Sequence, residues 1–276
     1  MISPQNVFCA EQNHSLKNPA QPTPPRSDRL STILFENDDL PPGKVHFWSA
    51  CLDAAPFRRK ELERSLSQQE RARADRFQFD RDRVRYVAGL GILRSILGSY
   101  LGVEPASVEF RYESNGKPAL SGRLGRNPIR FNMSRSKGLA LYAFSRDREV
   151  GIDVEKMDPM PDMDRIVERF FSPREIQDYF RIPVNGRAEA FFRCWTRKEA
   201  FLKATGEGLL RPLDTFAVSI RPDEPPRIVE DRAERSAADR WSVRDLPVEE
   251  GYAAALVIEG RHSRICCMQR PHVPGG

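Results

Sequence analysis

Apolar residues recur every three or four positions between Asp80 and Leu101, with Val84, Val87, Leu90, Ile96, Leu97, Tyr100 and Leu101 on one face and Gly102 as a stop. That spacing predicts a long helix with a buried face. Ahead of it the pattern predicts a strand over Val45 to Leu52 and two helices, near Arg58 to Ser65 and Ser67 to Phe77. Ser67 and Glu70 stand at the positions of a capping box. Alternation then marks short strands, Val108-Phe110-Tyr112 and Ile129-Phe131-Met133. Leu139 to Phe144 and Val150 to Val154 are two more, and the charged turn Ser145 to Glu149 between them predicts a hairpin. Helical text resumes with Met163 to Phe171. A further helix starts at Ser172-Pro173-Arg174-Glu175, with the serine as N-cap and proline in the first turn. Arg187 to Ala204 is the main helix of this half, ended by Thr205-Gly206. Strands follow at Phe216 to Ile220, Trp241 to Leu246, Tyr252 to Ile258 and Arg264 to Met268, with Arg221 to Asp239 a polar loop and a frayed tail after Arg270. Helices followed by strands, twice over, predict an α+β protein. No sequence repeat relates the halves.

Residues 1–43 change this picture only at its edge. Asn18 to Pro25 is proline-rich and Pro41-Pro42-Gly43 closes the segment, so a flexible leader is expected outside the core. The whole 276-residue chain is 39% apolar and 30% charged, the balance of a soluble globular protein. Its net charge of +5 suits anionic ligands or acidic partners but is too small to indicate a nucleic-acid binder. No run is long enough to span a bilayer, the most apolar helix being broken by Arg94. Met1 to Ala10 lacks the features of a secretory signal. Cys9, Cys51, Cys194, Cys266 and Cys267 have no metal-ligand spacing, and reduced thiols in the cytoplasm are expected. Cys266 and Cys267 are expected on opposite faces of one strand. The four histidines are scattered, and neither a P-loop nor a dinucleotide fingerprint is present.

The chemistry-bearing residues fall in two segments. In Val150-Gly151-Ile152-Asp153-Val154-Glu155, strand alternation puts Asp153 and Glu155 on the face opposite the three aliphatic residues. In Trp195 to Lys203, Glu199 and Lys203 stand one helical turn apart. Each motif alone also fits a solvated strand face or a surface ion pair. Phe191, Phe192, Trp195, Phe201 and Leu202, however, make that helix apolar around much of its circumference. A buried acid and lysine need partners. Three carboxylates and an amine suit a magnesium ion holding a phosphate, with the lysine neutralising a leaving group. Gly116-Lys117-Pro118 is a turn whose lysine could reach a phosphate. Phe131-Asn132-Met133-Ser134-Arg135-Ser136 ends a strand in side chains that could donate to one. Met160, Met163, Phe170, Phe171 and Phe180 fit either core packing or an apolar rim for a partner.

Taken in order, Gly116-Lys117-Pro118, Phe131-Asn132-Met133-Ser134, Gly151 to Glu155, and Trp195 to Lys203 closely resemble the pattern of the 4′-phosphopantetheinyl transferases of the surfactin-synthetase-activating (Sfp) type. Arg169-Phe170-Phe171-Ser172, and Arg76-Phe77 followed by Arg85, are similar too. The resemblance covers roughly residues 45–260. It implies two similar α+β halves related by a pseudo-twofold, 44–150 and 151–270, with the active site in the cleft between them and the metal and catalytic motifs in the second. It also implies transfer of the phosphopantetheine arm of coenzyme A to a serine of an apo acyl or peptidyl carrier protein, releasing 3′,5′-ADP. Asp153, Glu155 and Glu199 would be the metal set, for magnesium or alternatively manganese. Glu199 would also be the base for the carrier serine, and Lys203 would neutralise or protonate the leaving phosphate. Arg73, Arg85, Tyr86, Lys117, Ser134, Arg135 and Lys203 would hold coenzyme A. The partners implied are carrier domains of polyketide, nonribosomal peptide or fatty-acid synthases, with no nucleic acid or membrane and with the chain as a monomer. Two departures stand out: Arg135 replaces the family's usual histidine, and Glu70 stands where a lysine is expected. The alternatives are a non-catalytic binder of coenzyme A or carrier proteins on the same fold, and a basic nucleic-acid binder. The second is opposed by the acids interleaved through Glu70 to Arg85.

Overall fold

The computed structural model describes residues 40–53, 59–112, 117–261 and 264–268. Strand β1 (Lys44–Cys51) opens the first half, followed by α1 (Arg59–Ser65), α2 (Gln68–Ala74) and the 22-residue α3 (Asp80–Leu101). The capping box at Ser67 and Glu70 is formed, and Gly102 ends α3 in the left-handed region at φ 64°. β2 (Phe110–Tyr112) and β3 (Pro118–Leu120) make a small ribbon, then β4 (Ile129–Ser136) and β5 (Leu139–Arg146) follow. The second half runs β6 (Val150–Lys156), α4 (Met163–Phe170), α5 (Pro173–Arg181), the 22-residue α6 (Val184–Thr205), β7 (Phe216–Val218), β8 (Ile228–Asp231), α7 (Ala237–Arg240), β9 (Trp241–Asp245), β10 (Tyr252–Glu259) and β11 (Arg264–Met268).

One sheet has the order β11-β1-β5-β4 and the other β6-β10-β9. The two share a core of Val45, Phe47, Leu139 and Leu141 from one sheet against Val150, Ile152, Val154 and Leu256 from the other. Helix α3 covers the far face of the first sheet, packing on Trp48, Phe131, Tyr142 and Phe144. Helix α6 covers the second, where Phe191, Phe201 and Trp195 meet Trp241, Val243 and Ala255.

The halves repeat each other. Apart from β11, which pairs parallel with β1, the opening strand of each half pairs antiparallel with a later strand, β5 or β10, that also pairs with the strand before it, giving β1-β5-β4 and β6-β10-β9. Each has a capped helix whose N3 glutamate is buried, Glu70 or Glu175. Each glutamate pairs with a cation at the same position along the long helix, Arg94 at 2.8 Å or Lys198 at 2.7 Å. The sequence conceals this because different residue types serve the same purpose, a buried charge satisfied by an opposite charge and backbone carbonyls.

Several expectations need correction. Val150 to Val154 does not form a hairpin with Leu139 to Phe144. Both edges of β5 are taken, by β1 and β4, and β6 crosses to the other sheet to pair with β10. The β5 hairpin partner is β4, across Lys137-Gly138, with Lys137 at φ 51°. The stretch Arg221 to Asp239 is not simply a loop. It holds β8, anchored by buried Ile228 against β7, and α7. Val108 precedes the strand that was expected to include it, next to a 3-10 turn over Pro105–Ser107. The leader boundary also moves: Leu40 is buried in the first core and its carbonyl accepts from Arg146 Nε at 2.9 Å. The rest of the leader, residues 1–39, lies outside the described residues, as do Cys9, Gly116 and the tail. No helix among the described residues is long and apolar enough to cross a membrane.

Candidate active site

The strand that carries Asp153 has a face dictated by one glycine. Val150, Ile152 and Val154 enter the core between the sheets, which turns Gly151, Asp153 and Glu155 to the other face, where Gly151 meets α6. A Cβ on Gly151 would lie 2.1 Å from Ala200 O and 2.4 Å from Ala204 N, so strand and helix meet there backbone to backbone. That contact sets the last turns of α6 against β6 and brings Lys203 onto Asp153.

Lys203 Nζ lies 2.6 Å from Asp153 Oδ1 and also donates to Ser134 Oγ at 3.0 Å and Ile152 O at 3.1 Å. Ser134 Oγ donates to the same Asp153 oxygen at 2.8 Å. Asp153, Glu199 and Lys203 are only 3%, 6% and 8% exposed, so this is a closed, charged cluster inside the protein. Asp153 Oδ2 and Glu199 Oε1 are buried without a hydrogen-bond partner. Burial pushes the Asp153 carboxyl up against the opposing pull of Lys203. Glu199 is pushed up to about 7, first by burial and then by the Asp153 charge. Two buried carboxylate oxygens left unsatisfied are what a hard cation would complete.

Glu155 behaves differently. Its Oε2 accepts from Ser136 Oγ at 2.8 Å. Among the described residues, no three His, Cys, Asp or Glu side chains are placed together to hold a metal ion. Of the three carboxylates singled out in the sequence, Asp153 and Glu199 share the Lys203 cluster while Glu155 is turned to β4.

The residues expected to hold a nucleotide divide along β4 by strand alternation. Ser134 enters the acidic cluster. Arg135, on the opposite face, crosses Gly89 of α3 and lies over the Tyr86 ring at 5.3 Å. Arg73 approaches the same ring at 5.7 Å, and Phe77 packs on it at 5.2 Å between ring centroids. Beside them is an open cleft of about 650 Å³ lined by Gln69, Ala72, Arg73, Arg76 and Phe77. Cations flanking an aromatic ring suit a phosphate next to a planar base. Neither this cleft nor its neighbour, which Tyr86 and Tyr112 line, is walled by the acidic cluster.

Two expected contacts are engaged elsewhere. Arg85 forms a two-pronged pair with Asp53 at 2.7 and 2.6 Å, away from the Tyr86 group. Lys117 Nζ donates to Lys203 O at 2.8 Å and to Glu149 at 3.2 Å, capping the end of α6. Of the apolar rim candidates, Met163 and Phe171 are core, Met160 and Phe170 pack against it half-buried, and Phe180 is exposed. The sequence reading gave Asn132 and Ser136 no role of their own within Phe131 to Ser136, and missed Glu149 and Asp53. The first two carried a signal, since Asn132, Ser134 and Ser136 alternate as polar residues on a strand whose neighbours are buried.

Glu199 makes the stability of the chelated protein fall with pH. The carboxyl titrates near its ordinary value of 4.5 when unfolded and at about 7 when folded. Between those values the unfolded chain binds fewer protons, so stability declines as pH rises and levels off above the window. The expected loss is on the order of 3 kcal/mol. Urea midpoints at pH 5 and pH 7.5 in excess chelator should differ for the native chain and differ less for Glu199→Gln. Parallel curves would show that Glu199 does not titrate there.

Comparison with known proteins gives the family. Residues 149–257 match the 4′-phosphopantetheinyl transferase superfamily, and residues 57–145 match a 4′-phosphopantetheinyl transferase N-terminal family. The 4′-phosphopantetheinyl transferase HetI of Nostoc sp. is 42% identical over 217 residues, spanning 79% of this chain and 88% of the relative. A 4′-phosphopantetheinyl transferase of Bacillus subtilis is 32% identical over 58% of this chain and 68% of its own. The 4′-phosphopantetheinyl transferase Sfp of Bacillus subtilis strain 168 is 30% identical over 61% and 74%. The chain belongs to the 4′-phosphopantetheinyl transferase superfamily. It is an enzyme of that class.

Proposed function

We propose that this chain is a magnesium-dependent enzyme that works through the buried Asp153, Glu199 and Lys203 cluster. As a member of its family it transfers the phosphopantetheine of coenzyme A to carrier proteins. The observation that carries the proposed mechanism is the pair of partnerless carboxylate oxygens beside Lys203. Asp153 and Glu199 would hold the ion. When bound, it would add its positive charge to that of Lys203 at the phosphates. The carrier serine oxygen forms a bond to the phosphorus next to the pantetheine, and the bond from that phosphorus to the leaving oxygen of 3′,5′-ADP breaks. Glu199 takes the serine proton. Lys203 pairs the negative charge that appears on the leaving phosphate. Burial of the cluster excludes water that would compete with the serine.

Arg73, Tyr86 and Arg135 are proposed to hold the nucleotide end of coenzyme A in the cleft beside them. Lys117 and Arg85 would join only by leaving Glu149 and Asp53. The partners proposed are carrier domains of polyketide, nonribosomal peptide or fatty-acid synthases, met by a monomer in the cytoplasm. The division into halves at 44–150 and 151–270 is part of the same reading, supported by the repeated strand order. No observation favours the non-catalytic alternative.

Intact-mass measurement on apo carriers mixed with this protein, coenzyme A and magnesium should show a gain of one phosphopantetheine arm. The gain should vanish with chelator and return with magnesium. Transfer that persists in chelator would overturn the metal assignment, and no transfer to any carrier would overturn the functional reading.

A further inference from the structure

Strand β6 has a backbone partner on one edge only, β10, in the register Ile152↔Leu256 and Val154↔Ala254. Its other edge lies against β4, which belongs to the other sheet. A buried strand edge must still satisfy its donors. Here side chains replace the ladder. Ile152 N–H donates to Asn132 Oδ1 at 3.0 Å, and Lys156 N–H donates to Ser136 Oγ at 3.0 Å. The amides of Ile152 and Lys156, on either side of Asp153, are thereby accounted for.

The side chains that do this stand where apolar ones would be expected. Asn132, Ser134 and Ser136 lie opposite Ala143, Leu141 and Leu139 of β5, so they share a face with residues of the core between the sheets. All three are buried. Burying three polar side chains on a core face is costly unless each is bonded, and each is bonded to β6. Ile152, the residue before Asp153, is held at both of its backbone groups, its N–H donating to Asn132 and its carbonyl accepting from Lys203.

We infer that Asn132 is a positioning residue for the transfer reaction: by holding the Ile152 amide it fixes the rotation and register at which β6 presents Asp153 to Lys203 and Glu199. Ser136 does the same at Lys156, on the far side of Asp153. Asn132 touches neither substrate nor reacting atoms, and acts through the strand. The inference rests on the function proposed above.

The test uses the full chain with apo carrier, coenzyme A and magnesium. Asn132→Leu keeps the size and removes the acceptor. It should lower kcat by about 10- to 100-fold with the KM for coenzyme A changed less than twofold. The Ile152 amide should lose protection from hydrogen exchange in the same variant. Asn132→Ser should recover part of the rate, since a hydroxyl at Ser136 already reaches the equivalent amide of β6. A kcat within twofold of the native value, or a loss confined to KM, would overturn the inference. If Asn132→Leu does not fold, Ser136→Ala carries the test by the same split between kcat and KM and by exchange at Lys156. Failure of the native chain to modify any carrier would overturn the functional reading instead. The exchange measurements stand in either case.

Discussion

Asp153→Asn and Glu199→Gln each lower phosphopantetheine transfer by about 10³-fold or more, without unfolding the protein. Asp153 Oδ1 takes two hydrogen bonds, from Lys203 and Ser134, and Oδ2 is one of the oxygens left for a cation. An amide there gives up the charge that holds Lys203 and weakens the proposed ion's site. Preorganised charges in a closed site are worth several kcal/mol to a transition state, and a loss of about 4 kcal/mol is that factor in rate. Glu199→Gln removes the proton acceptor but also an ionised group in a buried setting, so its stability in chelator at pH 7.5 should hold or rise. Rate constants under saturating carrier, with denaturation midpoints of the same preparations, check both halves of this expectation. A folded Glu199→Gln protein with native rate would remove Glu199 from the mechanism.

The second large effect comes from a residue with no side chain. Gly151→Ala places a methyl against Ala200 O and the Ala204 backbone, atoms that cannot swing aside. Overpacking of a core usually costs about 1–3 kcal/mol, and contact with helix backbone puts this case at the upper end or beyond. The expected result is a melting temperature lower by roughly 10 °C. Transfer should also be lost, because displacement of α6 from β6 separates Lys203 from Asp153. Calorimetry and the transfer assay on one preparation decide it. A stable, active Gly151→Ala protein would mean that helix and strand are not in the contact described.

Much of the fold was legible along the chain because its signals are local. The boundaries of α3, the serine caps of α2 and α5 and the glycine ends of α3 and α6 each follow from a few neighbouring residues. So did the two faces of β6, since alternation is a property of one strand. The β5–β6 hairpin failed for the opposite reason. A charged turn between two short strands fits a hairpin, but which edge is free depends on strands far away in sequence, β1 and β10.

The site divides in the same way. Asp153, Glu199 and Lys203 could be named because each sits in a segment whose periodicity fixes its direction, and because an apolar helix cannot carry an acid and a lysine without partners. The roles of Ser134, Arg135, Lys117 and Arg85 could not be read so closely. Ser134 and Arg135 are adjacent in the chain yet serve opposite faces of one strand, the first within the acidic cluster and the second over Tyr86. Lys117 and Arg85 meet Glu149 and Asp53 across 32 residues each. By itself, the sequence determined the elements, the buried acid and base and the family they resemble, because those are written in local spacing and residue type. Only the tertiary structure decided which buried ion pair serves each half, that Asn132 and Ser136 stand in for a backbone ladder, and which cations remain beside the open cleft. Those outcomes depend on which distant groups satisfy a buried charge or amide, and no local pattern encodes that choice.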